Sequence, residues 1–317
     1  MRLSDLGEFG LIGRIRERFP APEGVTGIGD DCAVIPQRSG RDTLVSTDLL
    51  VEGAHFLRDR VSPYQLGWKS AAVNLSDIAA MGGQPTSTFL SLALPADLET
   101  GWMEEFLRGY AEVSTRFDAA LLGGDTTASP DRICLNVAVL GECPSGTARM
   151  RSMACEGDRI CVTGTLGDSA AGLKAILEGM EPDADIQTLI ERHYLPLPRV
   201  AEGLRLADTP GVHAMMDISD GIGSDLRHIL DASGVGAVID VPSLPISPAL
   251  QRVCAHQGWD AAALAIGGGE DYELLFTCTP EAERSMDVAH TVIGRIKAQG
   301  GLRGLEGLSG FDHFKKG

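Results

Sequence analysis

Two aspartates, Asp30 and Asp31, stand side by side in GIGDDCAVI, between a glycine turn and an apolar run. Adjacent like charges repel, and apolar neighbours draw them out of water. Backbone donors, a basic partner or a cation must compensate. Asp48, Asp125 and Asp217 each follow an apolar, strand-like run: TLVSTD, AALLGGD and VHAMMD. Ligands of layered α/β proteins gather beyond strand ends, so carboxylates distant in sequence can meet there. The plain alternative for each is a turn or a helix cap, which Asp also favours. Asp77 lies in SPYQLGWKSAAVNLSDIAAMGG, where helical spacing puts it in one stripe with Ser70 and Asn74. The other faces of that helix are small and apolar. The stripe is therefore either an exposed polar strip or an interior carboxylate that needs a partner. Asp217 and Asp220 sit three apart in DISDG, at a helix start. Ser219 or Asp220 could simply cap that helix. In the functional alternative, carboxylates hold a metal while the helix N-terminus faces phosphate oxygens.

Oxygen-only ligands rich in Asp suit Mg²⁺ rather than zinc, and neither CxxC nor HExxH spacing occurs. Mg²⁺ usually shares its ligands with a nucleotide's phosphates. The chain has no GxxxxGK[ST], and no GxGxxG follows a strand, so ATP would need another architecture.

The elements that must position these residues follow from pattern and composition. A chain of 317 residues, 44% hydrophobic, suffices for two domains of ordinary size. The net charge of −17 disfavours sequence-independent nucleic-acid binding and suits either cation binding or plain solubility. Cys32, Cys134, Cys161 and Cys278 sit in apolar runs and read as small buried hydrophobes in a reducing compartment. The N-terminus has no apolar leader and no stretch approaches a membrane span, so a cytoplasmic protein without membrane contact is expected.

The first eighteen residues read as a helix, and DTLVSTDLLVEG as a strand running into Ser46, Thr47 and Asp48. A helix over 63–81 is capped by Ser62, opened by Pro63 and closed before Gly82. STFLSLALP is a strand, LETGWMEEFLRGYAEVSTRF a helix, AALLGGDTT a short strand ending at Asp125, and RICLNVAVLGE a strand. CPSGTARMRSMACEGD then breaks the pattern, which divides the chain into domains 1–147 and 148–317. Beyond it come the strand RICVTG, a helix opening at GDSAAGLKAIL and a polar stretch. VHAMMDISDGIGSDLRHILDASG follows as strand, turn and helix, and then the strands GAVIDVP, DYELLFTC and AHTVIGRI. Strands and helices mix in both halves, giving an α/β or α+β layered fold.

Seven motifs in order, GIGDDCAVI, STDLLVEGAHF, NLSDIAAMGG, LLGGDTT, MDISDG, GGGEDYELLF and GFDHF, resemble the thiamine-monophosphate kinase family. That family belongs to the aminoimidazole ribonucleotide synthetase-like superfamily. The resemblance implies ATP-dependent phosphorylation of thiamine monophosphate to thiamine diphosphate. It also implies a two-domain α/β build, with N-terminal domains pairing into a dimeric β-barrel. It assigns Asp30, Ser46, Thr47, Asp48, Asp77, Asp125, Asp217 and Asp220 to a shell for several Mg²⁺ ions. Gly124, Asp125, Arg151 and Ser219 match ATP contacts, with Arg149 as the alternative to Arg151. His55, Glu270 and Phe311 match the positions that hold thiamine phosphate; otherwise His55 reads as a packed loop histidine and Phe311 as a core aromatic.

Other members of the superfamily fit less well. No Cys precedes Cys32, unlike a selenophosphate synthetase, and the chain ends HFKKG rather than in the Cys of a hydrogenase maturation factor. GGGEDYELLF and GFDHF speak against aminoimidazole ribonucleotide synthetase. A non-catalytic Ca²⁺- or Mg²⁺-binding protein would cluster its ligands in one loop, and here they are scattered.

Overall fold

The computed structural model describes residues 24, 30–31, 33–36, 40–298 and 301–305. The helix expected over the first eighteen residues, Cys32, Phe311 and the GFDHF motif lie outside them.

The first half builds β1 (Ala33–Pro36), β2 (Arg41–Val51), α1 (Pro63–Ala80), β3 (Gln84–Pro95), α2 (Thr100–Arg116), β4 (Ala120–Ser129) and β5 (Cys134–Pro144). The strands form one open sheet in the order β1-β2-β5-β3-β4. β3 and β4 pair parallel and the rest antiparallel. No barrel closes among the described residues of the single chain. Alternation along β2 points Leu44, Ser46, Asp48 and Leu50 to one face and Thr47 and Leu49 to the other. Leu44 and Leu50 are buried under α1, whereas Leu49 and, on β3, Phe89 remain exposed. Among the described residues, one face of this sheet is thus covered by helices and the other is open.

The second half builds β6 (Arg159–Val162), α3 (Asp168–Glu178), α4 (Ala184–Tyr194), α5 (Val200–Asp208), β7 (Val212–Asp217) and α6 (Ile222–Ser233). It continues with β8 (Gly236–Ile239), α7 (Pro248–Gln257), α8 (Ala261–Gly267), β9 (Leu274–Cys278), α9 (Pro280–Ser285), β10 (Thr291–Lys297) and β11 (Leu302–Arg303). Its sheet runs β11-β8-β10-β6-β9-β7. The stretch expected to be merely polar contains α4 and α5. Asp183 caps α4 through the backbone N–H groups of Asp185 and Ile186, and Ile186 and Leu189 give it a buried stripe.

Helix α1 joins the halves. Ser62 and Gln65 form a reciprocal capping box at its start, with Pro63 in the first turn. Leu66, Ala71, Leu75 and Ile78 pack into the first core. Ala79 and Ala80 belong instead to a core with Val200, Leu206, Leu274 and Phe276 of the second half. The Trp68 indole N–H donates to the Pro196 carbonyl at 2.8 Å. Against α2 the backbones nearly touch. A Cβ on Gly67 would stand 1.9 Å from the Phe106 carbonyl oxygen, and one on Gly109 would stand 2.0 Å from that of Tyr64.

A buried ion pair ties α5 to β9. Arg199 Nε donates to Glu273 Oε2 at 2.7 Å, and the Thr163 hydroxyl donates to the same oxygen at 2.7 Å. Arg199→Met strands that carboxylate in the interior and is expected to destabilise the fold by roughly 3 kcal/mol. Chemical denaturation checks it, and Glu273→Leu added to the same chain should recover most of the loss.

Candidate active site

Three carboxylates converge where the halves meet. Oxygens of Asp31, Asp77 and Asp217 all lie within 4.8 Å of one another. Asp31 precedes β1, Asp77 is in the last turn of α1, and Asp217 ends β7. Each is held by a neighbour. Ser46 Oγ donates to Asp77 Oδ2 at 2.5 Å and Ser76 Oγ to Asp217 Oδ2 at 2.5 Å. Asp48 approaches from β2, its own N–H donating to Asn74 Oδ1 at 3.1 Å. Ser70 and Asn74 are fully buried, so the stripe of α1 that carries Asp77 is interior, not an exposed polar strip.

Burial raises the carboxyls of Asp48, Asp77 and Asp217 above their usual range, and their mutual repulsion together with Asp31 adds to it. Asp30 is raised by burial as well. The basic counterpart is Arg151, in a 3₁₀ turn over Arg151–Met153. Its guanidinium pairs with Asp31, and its N–H donates to Asp30 Oδ1 at 2.7 Å. Ser233 Oγ anchors the Arg151 carbonyl at 2.7 Å. Arg149 points elsewhere, to the Ala207 carbonyl. One arginine against this many acids leaves a surplus of negative charge. The donors are all oxygen, which fits a hard divalent cation such as Mg²⁺.

A cavity of about 720 Å³ opens beside the cluster. Asp48, Asp77, Asp217 and Asp220 form part of its wall, and His55, Ser219 and Glu270 another part. Leu173 and Leu177 of α3 add apolar surface. The Val51 N–H donates to His55 Nδ1 at 3.0 Å, which fixes the neutral tautomer with its proton on Nε2. Ser219 and Glu270 sit on two loops in backbone contact. The Glu270 N–H donates to the Ser219 carbonyl at 2.8 Å, and a Cβ on Gly269 would stand 2.4 Å from that oxygen. Gly269 permits this approach, while a Cβ on Gly268 would instead stand 2.3 Å from the Leu264 carbonyl oxygen. Glu270 and Tyr272 both adopt positive φ, 63° and 50°, a strained state for side chains of their size.

Placement differs from expectation at several residues. Asp217 ends its strand, but Asp48 lies inside β2, which runs on to Val51. Thr47 turns to the opposite face, its Oγ1 accepting from Asn136 Nδ2 at 2.7 Å. Gly124 and Asp125 lie inside β4, the exposed edge strand, three strands from β2 and so about 14 Å away across the sheet. Within one chain Asp125 is not brought to the cluster. Lys69 and His193, which belong to none of the sequence motifs, are both buried against Glu270. A lysine in the apolar run GWKSAAV was the available signal. A separate trio, Cys155, Asp158 and His213, lies apart from the cavity. There Asp158 is occupied by His213 Nδ1 at 2.9 Å and the Cys155 N–H at 2.9 Å.

Two sheets meeting over an acidic cluster define a class of protein that known families allow to be specified. The AIR synthase related N-terminal and C-terminal domain models match residues 29–143 and 156–304. Thiamine-monophosphate kinase of Salmonella typhimurium is 42% identical, over 97% of this chain and 98% of the relative. That of Aquifex aeolicus is 38% identical, over 95% of each. The solved structure of AaThiL complexed with AMPPCP and TMP is similar at TM-score 0.91 and 37% identity, covering 99% of both chains. The chain belongs to the thiamine-monophosphate kinase family. No helix among its described residues is long and apolar enough to cross a membrane.

Proposed function

We propose that the chain transfers the γ-phosphoryl group of ATP to the phosphate of thiamine monophosphate, releasing thiamine diphosphate and ADP. The convergence of Asp31, Asp77 and Asp217 beside a cavity walled by His55 and Glu270 carries this reading. The names of the relatives and the AMPPCP–TMP complex of AaThiL support it.

The attacking group is a phosphate oxygen. The second pKa of a phosphomonoester is about 6, so that oxygen is ionised at neutral pH and needs no strong base. The obstacle is repulsion between two polyanions brought in line. Mg²⁺ held by Asp30, Asp48, Asp77 and Asp217, with Ser46 and Asp220 at the margin, would supply the neutralising charge. Arg151 and Ser219 hold the nucleotide, while His55, Glu270 and Phe311 orient the acceptor. ADP release with ATP, Mg²⁺ and thiamine monophosphate tests the reading, with chromatography of the product. Thiamine diphosphate is expected with thiamine monophosphate and not with free thiamine. ADP without that product would overturn it.

Gly124 and Asp125 join the site in a homodimer on this reading. The open sheet face and the β4 edge supply the surface, with Leu122 66% and Leu49 56% exposed. Sedimentation should give twice the 33.5 kDa chain mass, and Leu122→Asp should give a monomer.

A further inference from the structure

Glu270 does not meet the cavity as a bare anion. Lys69 Nζ of α1 donates to its Oε2 at 3.0 Å. His193 Nδ1, from α4, lies 3.3 Å from the same oxygen. Within the described residues, the hydrogen bonds to this carboxylate converge on Oε2. The Lys69 side chain is 4% exposed and that of His193 5%, whereas that of Glu270 is 30% exposed, in the cavity wall.

The donors fix the histidine's state. An ammonium only donates, and Lys69 Nζ lies 3.4 Å from His193 Nε2, so Nε2 accepts. Nδ1 then carries the proton, facing Glu270 and, at 3.1 Å, Ser169 Oγ. Burial, with Lys69 beside it, pushes His193 down to about 3, so the ring is neutral at ordinary pH. The trio of Lys69, His193 and Glu270 sums to zero charge.

We propose that Lys69 and His193 are positioning residues for the acceptor. They clamp Glu270 through Oε2, cancel its charge, and leave Oε1 to accept a hydrogen bond from a ring amine of the substrate. This rests on thiamine monophosphate as the acceptor, whose pyrimidine carries an exocyclic amine. It assigns Glu270 to that amine rather than to the positive charge of the thiazolium. A buried ammonium in contact with a carboxylate offsets most of its attraction for a second cation. The inward-facing lysine also has a structural rationale. Without it, the carboxylate would stand unpaired on a strained backbone.

Michaelis constants for both substrates in wild type, Lys69→Met, Lys69→Arg, Glu270→Gln and the Lys69→Met/Glu270→Gln pair test this. Lys69→Met should raise the KM for thiamine monophosphate tenfold or more and leave that for ATP within twofold. Lys69→Arg should recover part of the loss. In the Glu270→Gln background Lys69→Met should add less than twofold, because it acts through Glu270. A fall in the acceptor KM on Lys69→Met would overturn the proposal and make Glu270 a counter-ion for the thiazolium. Equal changes in both KM values, or the full effect persisting in the Glu270→Gln background, would overturn it as well. Wild type without turnover would sink the assigned reaction instead. The clamp itself is then read by ¹⁵N NMR of the imidazoles. Wild-type His193 should be neutral with its proton on Nδ1 from pH 6 to 8, and an Nε2–H tautomer would overturn the inference whatever the activity.

Discussion

Asp217→Asn is expected to lower phosphoryl transfer on the order of 1000-fold, the size of effect seen when one electrostatic group is removed from a transition state. It should also raise the melting temperature of the cation-free protein. The amide keeps an oxygen for the Ser76 hydroxyl, so the local packing survives. What disappears is one of the three carboxylates whose oxygens lie within 4.8 Å of each other. Their repulsion is a cost to the cation-free fold, and the pH dependence reports it. The folded-state pKa of Asp217 is raised, by burial and then by Asp31. Between the unfolded value, roughly 4, and that raised value, the native chain holds a proton that the unfolded chain has released. Stability therefore falls as pH rises through this window. Thermal melts without cation should show that decline in wild type and a shallower one in Asp217→Asn. Mg²⁺ should flatten the wild-type curve. A pH-independent wild-type melt that Mg²⁺ leaves unmoved would remove the cation site from the account.

Gly67→Ala is expected to lose about 3 kcal/mol, although alanine is the better helix former by roughly 1 kcal/mol. The added methyl has nowhere to go: it would meet the Phe106 carbonyl oxygen at 1.9 Å, which is rigid backbone inside α2. The helices must separate, and that opens gaps along a buried contact. Gly109→Ala meets the reciprocal obstacle at Tyr64 and should lose a similar amount. Scanning calorimetry should record both as drops of several degrees in melting temperature. An unchanged melt for either would mean that the two helices yield more readily than a backbone contact allows.

Much of this was written in local chemistry. Ser62, Pro63 and Gly82 marked the ends of α1 because capping and left-handed termination are decided by adjacent residues. Asp217 sat at a strand end because VHAMMD changes from apolar to acidic there. Helices α4 and α5 escaped notice since each shows only a narrow stripe, such as Ile186 and Leu189, among charged neighbours. Asp48 reads as a strand end because it follows the apolar run TLVSTD; eleven residues of pairing between β2 and β5 carry the strand on to Val51. Arg151 and Arg149 could not be separated by their flanks. Only the fold sets one against Asp31 and the other against Ala207. Lys69 was hidden for a similar reason: its partner lies 201 residues away.

The conventional cut of this chain into halves does not produce two separable folding units. Ala79 and Ala80 complete the apolar interior of the second half while Leu66, Leu75 and Ile78 of the same helix complete that of the first. A helix owned by two interiors cannot melt with one and stay with the other. Unfolding should therefore be a single cooperative event despite two sheets, with calorimetric and van't Hoff enthalpies in agreement. The first half expressed alone would leave Ala79 and Ala80 of that helix uncovered, and it should aggregate rather than fold.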